Sequence, residues 1–491
     1  MEETITSPNF AHSSLFRTSC YYLGHWKSYE KTISVIDPAT GETIGTVPNL
    51  PREEIRKAID YAFLEQSKWS KTTGKERGKY LRAWSELMLR NKDDLAKIMT
   101  WEQGKPLAES IGEIEYAASY LEWFSEEAKR SYGDIIPTHR NDVRLLSWRE
   151  PIGVSGFLTP WNFPSSMITR KAGAALAAGC VAISKPSEIT PYSALALAVL
   201  AQEAGIPPGV FQVVTGFPEH IADEFLENPK MKKISFTGSV RVGKLLLEKA
   251  APKMKRLSLE LGGNAPFIVF SDANIQDAVK GAVLSKFRNT GQTCVCANRF
   301  LVHEKVISEF SQLLVKEVSK LKVGNGFDEG IQQGPLINEV GFKKVKNHVE
   351  NAASLGGKIL TGGKPHSLGG TFFEPTVILG VPTTALCFQE ETFGPVAPIC
   401  SFRTEEEAIH IANNTNVGLA SYIYGRDHAL IWRVSESIES GMVSVNEGIL
   451  STEQVPFGGV KDSGMGREGS KYGMEEYQEL KYICWGGQKK I

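Results

Sequence analysis

Hydrophobic positions between residues 53 and 130 recur at the spacing of amphipathic helices. Apolar side chains repeat about every three to four residues, as at Ile55, Ile59 and Phe63, with polar residues between them. Gly74 and the Gly-Lys-Pro turn at 104–106 interrupt the pattern, because glycine and proline disfavour continuation of a helix. The pattern therefore predicts several amphipathic helices in this part of the chain.

From residue 151 the pattern changes to short apolar runs separated by helical stretches. Such runs, at a spacing near the ~30 residues of a strand–helix–strand unit, predict a parallel sheet with crossover helices. The predicted strands are 153–158, 181–184, 211–214, 233–236 and 257–261. A second series of predicted strands comprises 267–270, 300–303, 396–402, 422–424 and 442–445. The chain is therefore predicted to form two α/β lobes that meet near Leu261.

The composition is that of an ordinary globular protein, and its charge balance argues against nucleic acid and acidic membranes as binding partners. Of 491 residues, 55 are Lys or Arg and 56 are Asp or Glu, so the formal net charge is −1. This balance gives no electrostatic reason to expect binding to nucleic acid or to an acidic membrane. The most apolar runs, 172–183 and 194–201, are shorter than the ~20 residues that span a bilayer. Seven cysteines, and a start at Met1 without a signal-peptide pattern, favour a reducing compartment, the cytoplasm.

Several motif-like strings lack a residue that their chemistry requires. The string 238–244 resembles a phosphate-binding loop, but Leu245 stands where Mg²⁺ needs a Ser or Thr ligand. His303 begins a zinc-protease pattern, yet Ile307 replaces the second histidine ligand. One Cys-x-Cys pair has too few ligands for structural zinc, and the strict glycine-rich dinucleotide fingerprint is missing. The sequence therefore predicts no metal site and no nucleoside triphosphatase.

Three residues in separate segments supply the parts of a covalent catalyst. Cys294 follows a Gly-x-x turn in a polar stretch, where a thiolate nucleophile finds exposure and a favourable field. Asn162, after the first predicted strand of the parallel sheet, has a side-chain amide that can donate to an oxyanion. Glu260, near the end of the last strand of that lobe, suits a general base. Taken singly, Cys294 also fits a small buried apolar residue, and Glu260 fits a solvated strand-end charge.

Six motifs, in sequence order, carry a resemblance to one family. They are Pro-Trp-Asn-Phe-Pro at 160–164, Lys-Pro-Ser-Glu at 185–188, Phe-Thr-Gly-Ser at 236–239, Leu-Glu-Leu-Gly-Gly at 259–263, Gly-Gln-Thr-Cys at 291–294 and Glu-Thr-Phe-Gly-Pro-Val at 391–396. Each motif is weak or moderate alone. In this order and at these spacings they resemble the aldehyde dehydrogenase superfamily over most of the chain, from about residue 36 to residue 459.

The resemblance implies an α/β fold with two parallel-sheet, Rossmann-type lobes and a small β element for oligomerisation. It assigns 1–130 and 151–262 to a dinucleotide-binding domain and 263–465 to a catalytic domain that carries the cysteine. Residues 131–150 and 466–491 would form the oligomerisation element. The irregular runs 147–150 and 480–485 are expected there as strands that reach another subunit. A homotetramer or a homodimer is expected.

The same resemblance implies a role for each motif. Cys294 would attack an aldehyde carbon, Asn162 and the backbone N–H of Cys294 would hold the oxyanion, and Glu260 would activate the water that releases the acid. The implied cofactor contacts are Trp161, Lys185, Glu188, Gly216, Ser239, Glu391 and Phe393. A carboxylate at Glu188 can accept hydrogen bonds from both ribose hydroxyls but repels a 2′-phosphate, which favours NAD. Lys185 partly offsets that repulsion, so NADP stays an alternative.

Longer strings within the chain resemble the succinate-semialdehyde dehydrogenase branch of the family. They are 163–171, 286–288, 291–299 and 466–473. That branch implies that Arg170, Arg288 and Ser451 form a pocket for the substrate carboxylate, which matches the guanidinium fork. Without that context, both arginines fit solvated helix faces. Glutarate semialdehyde is one methylene longer, a difference that changes binding by only ~1–3 kcal/mol, so overlapping use is expected.

Four alternatives stay open for the sequence. Cys296, two residues after the nucleophile, fits either a buried apolar residue or a partner that forms a disulfide with Cys294 and switches activity off. An aldehyde dehydrogenase of broader specificity would keep the same chemistry. A coenzyme-A-acylating semialdehyde dehydrogenase would use the cysteine but has less need of Glu260 as a base. A non-catalytic structural or binding relative would not need Cys294, Glu260 and Asn162 together.

Overall fold

The computed structural model of the chain describes residues 8–487. Residues 1–7 and 488–491, which include Met1 and the outer ends of the predicted segments 1–130 and 466–491, lie outside the described residues. The described helices are α1 (Arg52–Trp69), α2 (Gly74–Arg90), α3 (Lys92–Gln103), α4 (Leu107–Glu127), α5 (Ser166–Ala178), α6 (Tyr192–Glu203), α7 (Pro218–Glu227), α8 (Val240–Ala250), α9 (Ile275–Phe287), α10 (Ile307–Val318), α11 (Glu339–Ser354), α12 (Leu386–Gln389), α13 (Glu405–Asn413), α14 (His428–Ser437) and α15 (Ser470–Glu475).

The strands between these helices are mostly short. They are β1 (Cys20–Tyr22), β2 (His25–Lys27), β3 (Thr32–Ile36), β4 (Thr43–Pro48), β5 (Asp134–Ile136), β6 (Arg144–Pro151), β7 (Val154–Leu158), β8 (Ala182–Lys185), β9 (Phe211–Val213), β10 (Met231–Gly238), β11 (Arg256–Leu261), β12 (Ala265–Val269), β13 (Ala297–His303), β14 (Lys358–Thr361), β15 (Thr376–Leu379), β16 (Val396–Phe402), β17 (Val417–Gly418), β18 (Ala420–Tyr424), β19 (Met442–Val445), β20 (Val460–Lys461), β21 (Gly464–Met465) and β22 (Gln478–Trp485). All ten predicted strands of the two lobes are present.

Four amphipathic helices, α1 to α4, form in the region where the helical spacing predicted them. Buried side chains such as Ile55 and Ile59 on α1 lie on the apolar face that the pattern marks. Thr73 caps α2 through a reciprocal pair of hydrogen bonds with Glu76, which satisfies backbone donors that a helix start leaves free. These helices pack against the first sheet and share one hydrophobic core with it.

The first lobe is built on an eight-stranded sheet in the order β2-β1-β9-β8-β7-β10-β11-β21. The five central strands are parallel, whereas β2 and β1 on one side and β21 on the other are antiparallel to their neighbours. The chain runs from β7 outward to β9, and then returns to place β10 on the other side of β7. This reversal makes a crevice between β7 and β10 at their carboxyl ends, the position where open α/β sheets bind ligands.

The second lobe is built on a seven-stranded sheet in the order β14-β15-β16-β13-β12-β18-β19. Its strands are parallel except β14, which pairs antiparallel with β15. The buried residues that form the hydrophobic cores of this lobe start at Ala265 in the sequence. The core of the first lobe contains residues up to Leu261, and after that only Met474 and Tyr477 among the described residues. The predicted meeting point of the two lobes near Leu261 is therefore where the cores separate.

A third, three-stranded antiparallel sheet has the order β22-β6-β5. Strands β22 and β6 pair over eight residues within one chain. The two irregular runs, 147–150 and 480–485, therefore pair with each other. The assignment of 466–491 to an oligomerisation element stays a prediction, and the first part of this segment packs on the first lobe. Met474 and Tyr477 are buried in the core of the first lobe, because α15 packs on α4 and α5. Within residues 8–487 no helix is long and apolar enough to cross a membrane.

Candidate active site

A crevice of about 480 Å³ lies at the carboxyl ends of β7, β10 and β11, between the two lobes. The first lobe contributes the segments that follow or end these strands, and the second lobe closes the crevice from the opposite side. The residues that line it include Pro160, Trp161, Asn162, Thr237, Gly238, Ser239, Glu260, Leu261, Gly262, Gln292, Cys294, Asn338, Gly341, Lys344, Glu391 and Phe393. The structure therefore brings Cys294, Glu260 and Asn162, predicted from separate segments, into one crevice.

Glu260 is a buried carboxyl group without an internal partner. Its side chain lies in β11 and lines the crevice, with 3% of the residue exposed. Neither carboxyl oxygen has a hydrogen-bond partner among the described residues. Burial, followed by the nearby carboxylate of Glu468, raises the pKa of Glu260 well above its ordinary value. The alternative of a solvated strand-end charge is therefore wrong.

The nucleophile loop, defined as residues 288–294, begins in the 3₁₀ turn Arg288–Gly291 that follows α9. Asn289, Thr290 and Gly291 adopt positive φ angles of 50°, 58° and 74°, a region that non-glycine residues rarely occupy. Asn289 is held there by several hydrogen bonds. Its backbone N–H donates to Glu109 at 2.7 Å, and its side-chain oxygen accepts from Gln103 at 3.0 Å. The strained turn is thus fixed from outside, which is typical of functional loops.

Cys294 is half-buried at the end of this loop and lines the crevice. Burial raises the pKa of its thiol to about 12, although the Arg170 guanidinium lowers it. Burial therefore favours the protonated form of Cys294 and also that of Glu260.

The Asn162 side chain joins the first lobe to the nucleophile loop. Its amide nitrogen donates to the carbonyl of Gln292 at 3.0 Å. An amide nitrogen has two N–H groups, so the second remains available for an oxyanion on a substrate held near Cys294. The Asn162 side-chain oxygen has no partner among the described residues. The geometry agrees with the oxyanion role expected of Asn162.

Two glycines at the end of β11 allow the two lobes to approach closely. A Cβ at Gly262 would lie 2.8 Å from the Glu391 carboxylate, and a Cβ at Gly263 would lie 2.9 Å from the Cys294 carbonyl oxygen. The sequence suggested that a ligand crowds this loop. In the structure, protein atoms of the second lobe also fill the space that side chains would need.

Several predicted cofactor residues lie on opposite walls of the crevice. The Trp161 and Phe393 rings meet edge to face, with centroids 5.6 Å apart. Glu391 accepts a hydrogen bond from the backbone N–H of Gly263 at 3.1 Å, and burial raises the pKa of Glu391 to about 7. Ser239 lines the crevice, is exposed and caps the N-terminus of α8, and a helix N-terminus is suited to a phosphate group.

Lys185 and Glu188 lie at the end of β8, beside this crevice in the order of the sheet. The Lys185 ammonium donates to the Glu188 carboxylate at 2.7 Å. Gly216 lies farther along the same edge, in the loop between β9 and α7, where a Cβ would come 3.1 Å from Ile221. A helix N-terminus, two aromatic walls and two half-buried carboxylates fit a dinucleotide laid across the carboxyl ends of the sheet.

Arg288 and Ser451 line a second cavity of about 200 Å³, together with Phe163 and Tyr116. The Arg288 guanidinium lies 4.9 Å from the centroid of the Phe163 ring. In the part of the chain that the structure describes, no carboxylate pairs with Arg288 and no hydrogen-bond acceptor contacts its guanidinium. Glu109 and Glu113 also line this cavity without forming an ion pair with Arg288, and a guanidinium without such a pair is suited to bind an anionic group.

Arg170 differs from its predicted placement. It is buried on α5, and its guanidinium already pairs with the carboxylate of Glu468 at 3.2 Å. It also lies 4.7 Å from the Phe457 ring centroid and 5.9 Å from that of Tyr116, which lines the second cavity. Neither alternative for Arg170 fits fully. The guanidinium is not on a solvated face, and Arg170 is not among the residues that line the second cavity.

Cys296 lies in a different environment from Cys294. It is 7% exposed, and its sulfur accepts a hydrogen bond from the buried Lys286 ammonium at 3.3 Å. Burial raises the pKa of Cys296, while the Lys286 charge lowers it. All seven cysteines are free. A disulfide between Cys294 and Cys296 therefore requires the Cys296 side chain to leave Lys286, and it stays a prediction.

Sequence reasoning missed the buried ionic groups around the site. Lys171 pairs with Glu468 and also donates to Thr237 at 2.8 Å, which places this charge cluster behind the wall that carries Glu260. Lys344 on α11 lines the crevice near Glu391. A charged residue inside an apolar helix run, as Lys171 is in α5, was the available signal. Its partner is 297 residues away in sequence, so spacing could not reveal the pair.

Three comparisons with known proteins agree with this geometry. A family model described as aldehyde dehydrogenase family matches residues 25–483. A glutarate-semialdehyde dehydrogenase of Pseudomonas aeruginosa is 54% identical over 97% of this chain and 99% of its own length. A succinate-semialdehyde dehydrogenase of Escherichia coli, whose name specifies NADP(+), is 52% identical over 96% of this chain and 99% of its own length.

A solved structure gives the same result for the fold. The crystal structure of succinate-semialdehyde dehydrogenase from Burkholderia pseudomallei superposes with a TM-score of 0.97. It is 52% identical in sequence and covers 97% of this chain and 100% of its own. The similarity therefore extends over both lobes and the site between them.

Proposed function

Because the chain belongs to the aldehyde dehydrogenase family, we propose that it oxidises succinate semialdehyde to succinate with NAD as the hydride acceptor. In this reaction the aldehyde, water and NAD⁺ yield the carboxylate, NADH and two protons. The observation that carries the substrate assignment is the unpaired Arg288 guanidinium in the cavity that it shares with Ser451. The semialdehyde carries an aldehyde for Cys294 at one end and a carboxylate for Arg288 at the other.

The first half of the reaction uses the nucleophile loop and Asn162. The Cys294 thiol gives up its proton to solvent, and its sulfur attacks the aldehyde carbon, which turns the carbonyl into the oxyanion of a thiohemiacetal. The free N–H of the Asn162 amide and the backbone N–H of Cys294 stabilise that charge. Trp161, Ser239, Glu391 and Phe393 would hold the nicotinamide cofactor, which would supply a hydride acceptor. Loss of the hydride from the thiohemiacetal would let the carbon–oxygen double bond re-form as a thioester on Cys294.

The second half of the reaction uses Glu260. Its ionised carboxylate removes a proton from a water molecule, which attacks the thioester carbon, and the carbon–sulfur bond breaks to release the acid. The raised pKa of Glu260 supports this role, since a carboxylate with an elevated pKa is a stronger base. A base in this place has little use if coenzyme A is the acyl acceptor, so we propose free acid as the product.

Glutarate semialdehyde is a second candidate substrate. The sequence is 54% identical to a protein named for that substrate and 52% identical to one named for succinate semialdehyde, so identity does not favour one over the other. One methylene changes binding in a pocket by about 1–3 kcal/mol. We propose that both semialdehydes are used, with Arg288 and Ser451 as the carboxylate anchor and Arg170 as a charge behind Tyr116 that supports it.

The cofactor preference rests on Glu188. Its carboxylate is paired with Lys185 and partly exposed at the strand end, where it can accept hydrogen bonds from ribose hydroxyls. A 2′-phosphate at the same place would meet a negative charge. We propose NAD as the preferred cofactor and NADP as a weaker one. The first lobe would bind the dinucleotide, and the second lobe would supply Cys294.

The three-stranded sheet is proposed as the oligomerisation element. Several large apolar side chains of this sheet and its flank are exposed, among them Ile135 at 80%, Leu480 at 65% and Trp485 at 61%. Exposed apolar groups on edge strands favour pairing with another chain. We propose a homotetramer or homodimer through this sheet, in the cytoplasm, where free cysteines stay reduced. The molar mass of the particle in solution, measured for wild type and for Leu480→Lys, tests this assembly. The variant should have a smaller molar mass than wild type.

The experiment for the proposed substrate compares two aldehydes of equal length, succinate semialdehyde and butanal, by absorbance of the reduced nicotinamide. Wild type should prefer the semialdehyde, and Arg288→Ala should lose about 10- to 100-fold in kcat/KM for the semialdehyde alone. Arg90→Ala, an exposed arginine on α2, is the matched control. Equal rates on both aldehydes would contradict the carboxylate pocket, and an acyl-coenzyme A product would contradict the role of Glu260.

A further inference from the structure

Lys105 and Glu113 form a buried ion pair between the helical layer and the crevice. Lys105 follows the turn after α3, and Glu113 lies on α4. Their side chains are each 1% exposed, and the Lys105 ammonium lies 2.6 Å from a Glu113 carboxylate oxygen. A buried ion pair of this kind contributes little net stability, because desolvation offsets the attraction between the charges. The role of this ion pair is therefore inferred from the other groups that Lys105 and Glu113 contact.

The pair holds both ends of the segment that carries the oxyanion amide. The Lys105 ammonium also donates to the backbone carbonyl of Asn162 at 2.7 Å and lies 4.2 Å from the Phe163 ring centroid. The other oxygen of Glu113 accepts from the backbone N–H groups of Ser165 and Ser166 at 3.0 and 3.1 Å. One ion pair thus fixes the backbone before and after Phe163.

The same carbonyl joins this segment to the nucleophile loop. The side chain of Asn289 donates to the Asn162 carbonyl at 2.9 Å and to the Gln292 carbonyl at 3.3 Å. Lys105 and Asn289 therefore converge on one oxygen, which belongs to Asn162, a residue that lines the crevice together with Cys294. Among the residues that the structure describes, the Asn162 side chain has one hydrogen bond of its own, to Gln292, so its position depends on its backbone.

We propose that Lys105, with Glu113, is a positioning residue that holds the Asn162 amide where the oxyanion forms. Lys105 contacts the backbone of Asn162 and acts on the reaction through the amide alone. This inference rests on the proposed function, because it assigns to Lys105 the placement of a group that the proposed reaction needs. A displacement of about 1 Å at such a group lowers the rate by about 100-fold.

A double-mutant cycle between Lys105 and Asn162 tests the inference in the full-length protein. The variants are Lys105→Met, Asn162→Ala and the double variant, with kcat and KM measured for the semialdehyde and for NAD. Lys105→Met should lower kcat by about 100-fold and leave the KM for NAD within about threefold. In the Asn162→Ala background the same change should have almost no further effect, because the amide that Lys105 positions is gone.

Two additions make the result decisive. Lys92→Met is the matched control, since Lys92 pairs with Glu115 of the same helix α4 at 2.8 Å but both side chains are exposed, and its kcat should equal that of wild type. Lys105→Gln keeps an amide donor that is one atom shorter, and it should retain more activity than Lys105→Met. If Lys105→Met does not fold, the cycle is completed with Lys105→Gln.

Hydrolysis of p-nitrophenyl acetate without cofactor separates this inference from the proposed function. The ester requires the nucleophile and the oxyanion amide but neither the semialdehyde nor NAD. If wild type hydrolyses the ester through Cys294 and does not oxidise the semialdehyde, the proposed substrate is wrong. The double-mutant cycle is then measured with the rate of ester hydrolysis. Additive losses from the Lys105 and Asn162 changes, or unchanged kcat in Lys105→Met, would overturn the positioning role.

Discussion

The Lys185 ammonium and the Glu188 carboxylate form an ion pair of 2.7 Å at the end of β8. The Lys185 side chain is 4% exposed, whereas that of Glu188 is 31% exposed. Glu188 thus keeps carboxylate surface that faces solvent, and Lys185 is held beneath it. A ribose placed at this strand end meets the carboxylate first, so the sign of the charge at residue 188 is expected to control the choice between NAD and NADP.

Glu188→Gln is expected to shift the cofactor preference towards NADP. The neutral amide oxygen still accepts hydrogen bonds from ribose hydroxyls, but the amide no longer repels a 2′-phosphate, and Lys185 becomes free to pair with that phosphate. The ratio of kcat/KM for NADP to that for NAD should rise on the order of tenfold. The measurement is initial rate against concentration of each cofactor. An unchanged ratio would place the 2′-position away from Glu188.

The rate is expected to rise with pH and to depend on Glu260. Burial raises the pKa of both Glu260 and Cys294, and the reaction needs the deprotonated form of each. Acid therefore protonates the base and the nucleophile, and activity is regained as pH rises from neutral towards the raised pKa of Cys294. Profiles of kcat for wild type and Glu260→Gln check this. A wild-type rate that falls over that range would contradict the assignment.

Glu468→Gln is expected to destabilise the protein strongly. Lys171 and Arg170 lower the pKa of this carboxyl although burial opposes them, so its ionised form stabilises the fold at neutral pH and this contribution is lost on acidification. Removal of the charge leaves two buried cations unpaired, which costs about 3–5 kcal/mol of the free energy of unfolding. Denaturant unfolding measures this loss.

The control for that change is Glu317→Gln. Glu317 pairs with Lys320 at 2.7 Å on the surface, with 41% of its side chain exposed. Exposed pairs contribute at most about 1 kcal/mol, so Glu317→Gln should unfold almost like wild type. Equal stability of the Glu468 and Glu317 variants would show that the buried cations have other partners.

Cys296→Ala tests the proposed disulfide with Cys294. If that disulfide forms, peroxide should inactivate the wild type in a way that a dithiol reverses, because the disulfide protects Cys294 from further oxidation. In Cys296→Ala the inactivation should become largely irreversible. Activity after peroxide and dithiol treatment is the measurement. Equal recovery in both proteins would assign Cys296 to the packing role, with Lys286 as its partner.

The hydrophobic pattern predicted the strands from residue 151 onward because buried parallel strands have continuous apolar runs. The same argument placed Asn162 and Glu260 at strand ends, and the sheet order brings those ends together. It did not predict β1, which is only three residues long, or the burial of Met474 in the first lobe. Lys105 and Glu113 also escaped sequence reasoning, since an ion pair between a turn and a helix has no spacing signature.

The most direct test of the central claim is to trap the acyl group on the nucleophile. Glu260→Gln lacks the base that activates water, so with NAD and succinate semialdehyde it should form NADH once per subunit and then stop. Mass spectrometry of the quenched protein should locate one succinyl group on Cys294. Steady turnover of this variant without an acyl adduct, or an adduct on another residue, would contradict the assignment of Cys294 and Glu260.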